Sequence, residues 1–272
     1  MFTGDYGFFD YKYDIAGYHG QDFGGPAQFF YLAISAVLLV LLLRALRGLD
    51  RKRLRRLVGW TGVFMILLYL GKTAWESYYD LLRSGSFNTG LLPLDTCSLV
   101  MPAALLAGFG RGKAQRLGEC WLATGGVLGG LATMVSLNAL NYYPFLSFGG
   151  FYSMLWHFLM VLLGLLLGRS GLWQEKQTPD LGYRLHLLAS LVVIPVDFLF
   201  GFDFMMYRQL GGIPFFEALA SKLSGQGLGF LNPLLMLVLY WLGFRLVSGL
   251  PRLLHGLLHS GRPGGASRPR SV

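Results

Sequence analysis

Residues 91–108 read LLPLDTCSLVMPAALLAG. The stretch is apolar enough to enter a bilayer, yet its first third carries an acid and a thiol, Asp95 and Cys97, just behind Pro93. Apolar runs of 18 or more residues recur along the chain, each long enough to cross about 30 Å of hydrocarbon. Of the 272 residues, 54% are hydrophobic and only 14% charged, against about a quarter charged in soluble domains. A soluble protein can hide one such helix, not many. The expected fold class is all-α, a polytopic membrane protein.

Working outward from this stretch gives seven spans, at about 27–46, 57–74, 91–109, 117–140, 151–168, 185–202 and 228–247. The loop after the first span holds Arg44, Arg47, Arg51, Lys52, Arg53, Arg55 and Arg56 against Asp50 alone. By the positive-inside rule that loop is cytoplasmic. All the other basic residues but Lys12, Lys72, Arg83, Arg208 and Lys222 then fall on the same side. The N-terminus is therefore expected outside and the C-terminus inside. In a soluble chain the net charge of +9 would suggest nucleic acid. Here alternate basic loops account for it, and no nucleic-acid partner is expected. Residues 1–26 form an aromatic and acidic exterior tail, 27–248 the transmembrane domain, and 249–272 a basic cytoplasmic tail, partly disordered. The 1–26 segment neither begins basic nor turns apolar, as a cleavable signal would.

Polar residues inside the spans are costly and usually face a cavity or a partner. Cys97 and His157 each lie about six residues, roughly 9 Å, from the expected outer ends of the third and fifth spans. Asp197 lies near the outer end of the sixth, Glu76 and Lys72 near that of the second, and Asn138 near that of the fourth; Asp203 follows the sixth. The inner halves look dry, so an outward-facing polar pocket is expected. A lone membrane Cys is more often a small apolar residue than a nucleophile, but a place near a helix N-terminus supports a thiolate. Capping of helices, or pairing with Lys72 and Arg208, is the alternative to a chemical role for Asp95 and Asp203. Cys97 and Cys120 are expected near opposite ends of successive helices, so no disulfide is expected. No metal-ligand spacing, phosphate loop or other cofactor motif is visible. The glycine pairs Gly125/Gly129, Gly126/Gly130 and Gly164/Gly168 read as close helix contacts.

The segments LPLDTCSL (92–99), NYYPFLSFGGFYSMLWHF (141–158), FGFDFMMYRQL (200–210) and NPLLMLVLYW (232–241) resemble the YwaF-like family of bacterial membrane proteins. That family is related to the transmembrane protein 164 acyltransferases. The strongest markers are LPL-x-x-C and a histidine about sixty residues later. The resemblance implies a multi-pass protein of the bacterial cytoplasmic membrane with Cys97 and His157 as catalytic pair. Cys97 would take an acyl chain from a phospholipid as a thioester, His157 acting as base, and pass it to a lysophospholipid. An outward pocket does not meet cytosolic acyl-CoA, so the reaction would be a CoA-independent transacylation or a lipid ester hydrolysis. Asp95 either opposes a thiolate two residues away or orients His157 as the third member of a triad-like set. Two other readings stay open: a transporter or channel with a path through Asp95, His157 and Asp197, or a lipid-binding membrane protein without catalysis.

Overall fold

The computed structural model describes residues 7–11, 25–86, 89–136, 143, 146–209 and 214–259. Among these residues there is no strand, and the long helices are α1 (Pro26–Ala45), α2 (Arg51–Ser84), α6 (Phe148–Arg169), α7 (Thr178–Phe200) and α9 (Asn232–His259). Shorter helices are α3 (Val100–Phe109), α4 (Gly112–Trp121), α5 (Val127–Ser136) and α8 (Pro214–Gly225). Five described segments are long and apolar enough to cross a membrane: Gln28–Ala45, Arg51–Ser84, Phe148–Arg169, Thr178–Phe200 and Gly229–Leu253. The chain is an all-helical, multi-pass membrane protein. Large apolar side chains such as Leu67, Leu191, Leu199 and Leu246 are more than half exposed, as a lipid-facing surface requires.

The second helix is longer than its apolar stretch. The basic run read as a loop forms its first turns, because Asp50 stands at the N-cap and accepts from the Arg53 N–H at 2.8 Å. It continues to a left-handed C-cap at Gly85 (φ 65°). The 34 residues span about 51 Å, more than the hydrocarbon thickness. Arg55 then closes the far end of α3, donating to the carbonyls of Ala107 (3.3 Å), Gly108 (3.5 Å) and Gly110 (2.8 Å).

The opening stretch departs most from expectation. Proline removes an N–H and disfavours helix in the residue before it, and Asp95 itself is extended (φ −68°, ψ 153°). Helix therefore begins only at Thr96, as a 3₁₀ turn to Leu99 that runs into α3. The 14-residue helix from Thr96 to Phe109 rises about 21 Å, short of a full crossing. The next expected span is a continuous helix over 112–136, in which α4 and α5 are joined by a π turn at Leu122–Gly126. The Thr124 hydroxyl opens the ladder there by donating to the Cys120 carbonyl at 2.7 Å.

Packing is close wherever glycine permits it. A Cβ at Gly108 would collide with the Gly59 backbone on α2, one at Gly164 with Val127 and the Leu122 carbonyl, and one at Gly130 with Val161. These contacts seat α2 on α3 and α6 on the π turn and α5. Trp121, Leu122, Met160 and Leu163 are fully enclosed between them.

Most of the basic side chains stand at one end of the bundle. At the other, the described part of the N-terminal segment lies on α2 and α6. Tyr11 stacks on Tyr79 (5.3 Å) and donates to buried Asp80, and the Phe148 N–H donates to the Phe8 carbonyl at 2.7 Å.

Candidate functional site

Cys97 sits in the 3₁₀ turn, half-buried. Three helices hold this turn through its neighbours. From α6, Trp156 donates its indole N–H to the Cys97 carbonyl at 3.3 Å, and Tyr152 stacks on Trp156 at 5.4 Å. From α9, the Tyr240 hydroxyl shares a 2.6 Å hydrogen bond with Thr96 and reaches the Met205 carbonyl at 3.4 Å. From α2, the Tyr69 hydroxyl donates to the Leu91 carbonyl.

The charges around the turn are Lys72, Asp95 and Asp203. Lys72 lies 5.7 Å from the centre of the Tyr152 ring and forms an ion pair with Glu76. Glu76 is buried and also accepts from the Tyr143 hydroxyl at 2.9 Å. Asp95 is exposed and makes no capping bond to the turn that follows it; Lys72 attracts its carboxylate and Asp203 repels it. Asp95 and Lys72 are also the charged side chains acting on Cys97. Of the residues singled out in the sequence, Cys97, Asp95 and Glu76 therefore gather around Lys72.

Asp197 and Asp203 support the next segment. Asp197 accepts from the Phe204 N–H at 2.9 Å, and Asp203 from the N–H groups of Arg208 (2.6 Å) and Gln209 (3.1 Å). Between them Met205 and Met206 hold φ of 55° and 61°, a left-handed backbone that non-glycine residues rarely adopt. The two acids brace a strained turn whose Met205 carbonyl meets Tyr240. Partial burial pushes the Asp203 carboxyl above the ordinary range, against the opposing effect of its backbone donors and the Arg208 guanidinium. The expected pairing of Asp203 with Arg208 is thus made through the Arg208 backbone.

His157 is buried on α6 one residue beyond Trp156, about 100° further round the helix. Its Nδ1 is 2.7 Å from the Ser153 carbonyl. A carbonyl only accepts, so Nδ1 carries the proton and the neutral ring keeps its lone pair on Nε2. Among the described residues no hydrogen bond joins His157 to Cys97. Asn138 lies outside the described residues. No group of three or more His, Cys, Asp or Glu among the described residues is placed to hold a metal ion. Both cysteines are free.

Sequence reading missed a second polar group. His186, fully buried, lies 3.1 Å through Nε2 from the Tyr207 hydroxyl, which is 2.5 Å from Ser190 Oγ. The His186 ring packs 4.0 Å from that of Tyr240. The available signal was a tyrosine, Tyr240, inside an otherwise apolar run.

The TMEM164 family model matches residues 23–212, which contain the Cys97 turn, the Lys72–Glu76 pair and both α6 and α7. The chain belongs to the TMEM164 family. Of the two related families that its motifs resemble, this is the one matched. The match ends before α9, so Tyr240 lies outside it. No curated protein and no solved structure matches the chain.

Proposed function

We propose that this TMEM164 family member is a membrane-embedded, CoA-independent lipid acyltransferase that carries the acyl chain on Cys97. The observation that carries this reading is the Trp156–Cys97 hydrogen bond, which joins the turn bearing the thiol to the turn of α6 bearing His157. In the proposed reaction His157 Nε2 takes the Cys97 proton and the sulfur attacks a phospholipid ester carbonyl. The lysophospholipid oxygen leaves with that proton, giving an acyl-thioester. An acceptor lysophospholipid hydroxyl then loses its proton to His157 and attacks the thioester carbonyl; the C–S bond breaks, the new ester leaves, and the imidazolium returns its proton to the Cys97 sulfur. The tautomer fixed by Ser153 suits a base at Nε2. Catalytic hydrogen bonds often tighten only with substrate bound. In this reaction Lys72 would hold a lipid phosphate beside the turn, and Asp95 would orient the incoming base or headgroup.

In this proposal the basic end of the bundle is cytoplasmic and the Cys97 turn faces outward. Helix 112–136 and the short helix from Thr96 to Phe109, extended by 91–95, join the five long segments as spans six and seven. The test is cellular lipid profiling of wild type, Cys97→Ala, Cys97→Ser and His157→Ala, with thiol labelling of intact cells by a membrane-impermeant reagent. Loss of the same acyl-exchange products in all three variants, with Cys97 labelled from outside, supports the proposal. Unchanged lipids in the variants would defeat the enzyme, and labelling only after permeabilisation would defeat the orientation.

A further inference from the structure

A groove of about 940 Å³ opens between α4 and α7 and runs along most of α7, with Leu237 of α9 contributing to its wall. Its volume lies within the range of small-molecule sites. The helices touch where a Cβ at Gly182 would meet Thr124 Oγ1 and, at 2.9 Å, the Cys120 carbonyl; the groove runs beside that contact. Along α7 its lining extends from Gln177 to Pro195, roughly 27 Å of helix. The shaft is apolar, formed by Leu117, Leu181, Leu188 and Ile194 among others, while Lys113, Arg116 and Arg184 stand at the basic end.

The three cations are not equivalent. Arg116 is committed to Glu119 (3.5 Å) and to Glu175. Lys113 and Arg184 are exposed, and among the described residues neither has an ion pair or a hydrogen bond. Two free cations at the mouth of a long apolar shaft complement a ligand with an anionic head and a long hydrocarbon tail. Cations at a bilayer surface attract anionic headgroups, and the exposed leucines of α7 open the shaft to the acyl region. Pro195 removes the N–H that would bond the Leu191 carbonyl, leaving a polar acceptor at the deep end.

We infer that this groove is a binding site for an anionic phospholipid, with its phosphate between Lys113 and Arg184 and an acyl chain along α7. The cationic mouth lies at the opposite end of the bundle from Cys97, and the inference stands whether or not Cys97 is catalytic. The test uses the purified full-length chain in detergent, with phosphatidylglycerol and phosphatidylcholine at equal concentration, and reads retained lipid by native mass spectrometry. Wild type is expected to retain phosphatidylglycerol preferentially. The double variant Lys113→Gln/Arg184→Gln is expected to bind it about thirtyfold more weakly, at roughly fivefold per interfacial cation. Leu188→Trp, at a side chain already 55% exposed, narrows the shaft and should reduce retention with the charges intact. Arg111→Gln/Lys176→Gln removes two charges at the same end outside the groove and should match wild type. Equal retention of the two lipids, or equal losses in both double variants, would overturn the site. Displacement by glycerol 3-phosphate or by oleate at the same concentration as the phospholipid would overturn the lipid assigned to it.

Discussion

The 2.6 Å hydrogen bond between Thr96 and Tyr240 fastens the turn that carries Cys97 to α9, and its worth can be measured. Tyr240→Phe keeps the ring against His186, 4.0 Å away, and removes only the hydroxyl. A buried hydrogen bond contributes about 0.5–1.5 kcal/mol net, whereas stranding one partner costs about 1–3 kcal/mol. Tyr240 is 8% exposed and Thr96 half-buried, so each single removal leaves a polar atom with little access to water. Tyr240→Phe is therefore expected to cost about 1–3 kcal/mol and Thr96→Val about 1 kcal/mol, because the Tyr240 hydroxyl then keeps the Met205 carbonyl at 3.4 Å. The double variant strands neither group of the pair, so it should cost clearly less than the sum of the singles, with a coupling of about 1 kcal/mol or more. Unfolding in mixed micelles by SDS titration, followed by tryptophan fluorescence, gives the four corners of the cycle. Additive losses would refute the reasoning, since they would mean that the two hydroxyls act separately. Loss of acyl transfer in Tyr240→Phe, with the folded fraction restored by lower temperature, would show that the anchor also positions the thiol.

Three further outcomes are expected. Gly108→Ala should cost more than about 2 kcal/mol, because its Cβ would strike the Gly59 backbone, whereas Gly71→Ala meets nothing within 4 Å and should stay within about 1 kcal/mol of neutral; thermal unfolding in detergent separates them. Lys72→Met leaves Glu76, 3% exposed at its side chain, without its cation and should destabilise by about 3–5 kcal/mol, while Lys72→Met/Glu76→Gln recovers most of the loss; an equal loss in the double variant would contradict the pairing. Asp203 is shifted upward by burial, so its contribution is present in full below the ordinary value of about 3.9 and falls as pH rises through the higher folded value. The melting temperature of wild type relative to Asp203→Asn should therefore drop as pH rises above about 4, and a flat difference would contradict the shift.

The membrane class and most helices are legible in the sequence because apolar length and low charge act locally. The limits of α2 are less so, since Arg51–Arg56 read as a basic loop until Asp50 is seen to cap them. The third span reads as apolar from residue 91, but Pro93 and the extended Asp95 delay the helix to Thr96. The cluster of Cys97, Asp95, Lys72 and Glu76 was legible in part through the shared depth of polar residues. Depth, however, says nothing of azimuth. Trp156 meets the Cys97 turn while His157, one residue on, bonds to Ser153, and equal depth could not distinguish those two faces of α6. Asp197 and Asp203 were noticed as acids in an apolar setting; their work on the Met205–Met206 turn needed the backbone angles. Tyr240, His186 and Tyr207 meet only through tertiary packing and carry no local pattern.

We propose that Cys97 carries the acyl chain, and its covalent state during turnover decides the matter. The most direct measurement incubates the purified protein in phospholipid micelles, quenches in acid, and determines by mass spectrometry the mass of the peptide containing Cys97. The expected result is one acyl group on that peptide, removed by neutral hydroxylamine, absent in Cys97→Ala, and formed about 10²–10⁴-fold more slowly in His157→Ala. An unmodified Cys97 under turnover, or acylation at the same rate in His157→Ala, would contradict it.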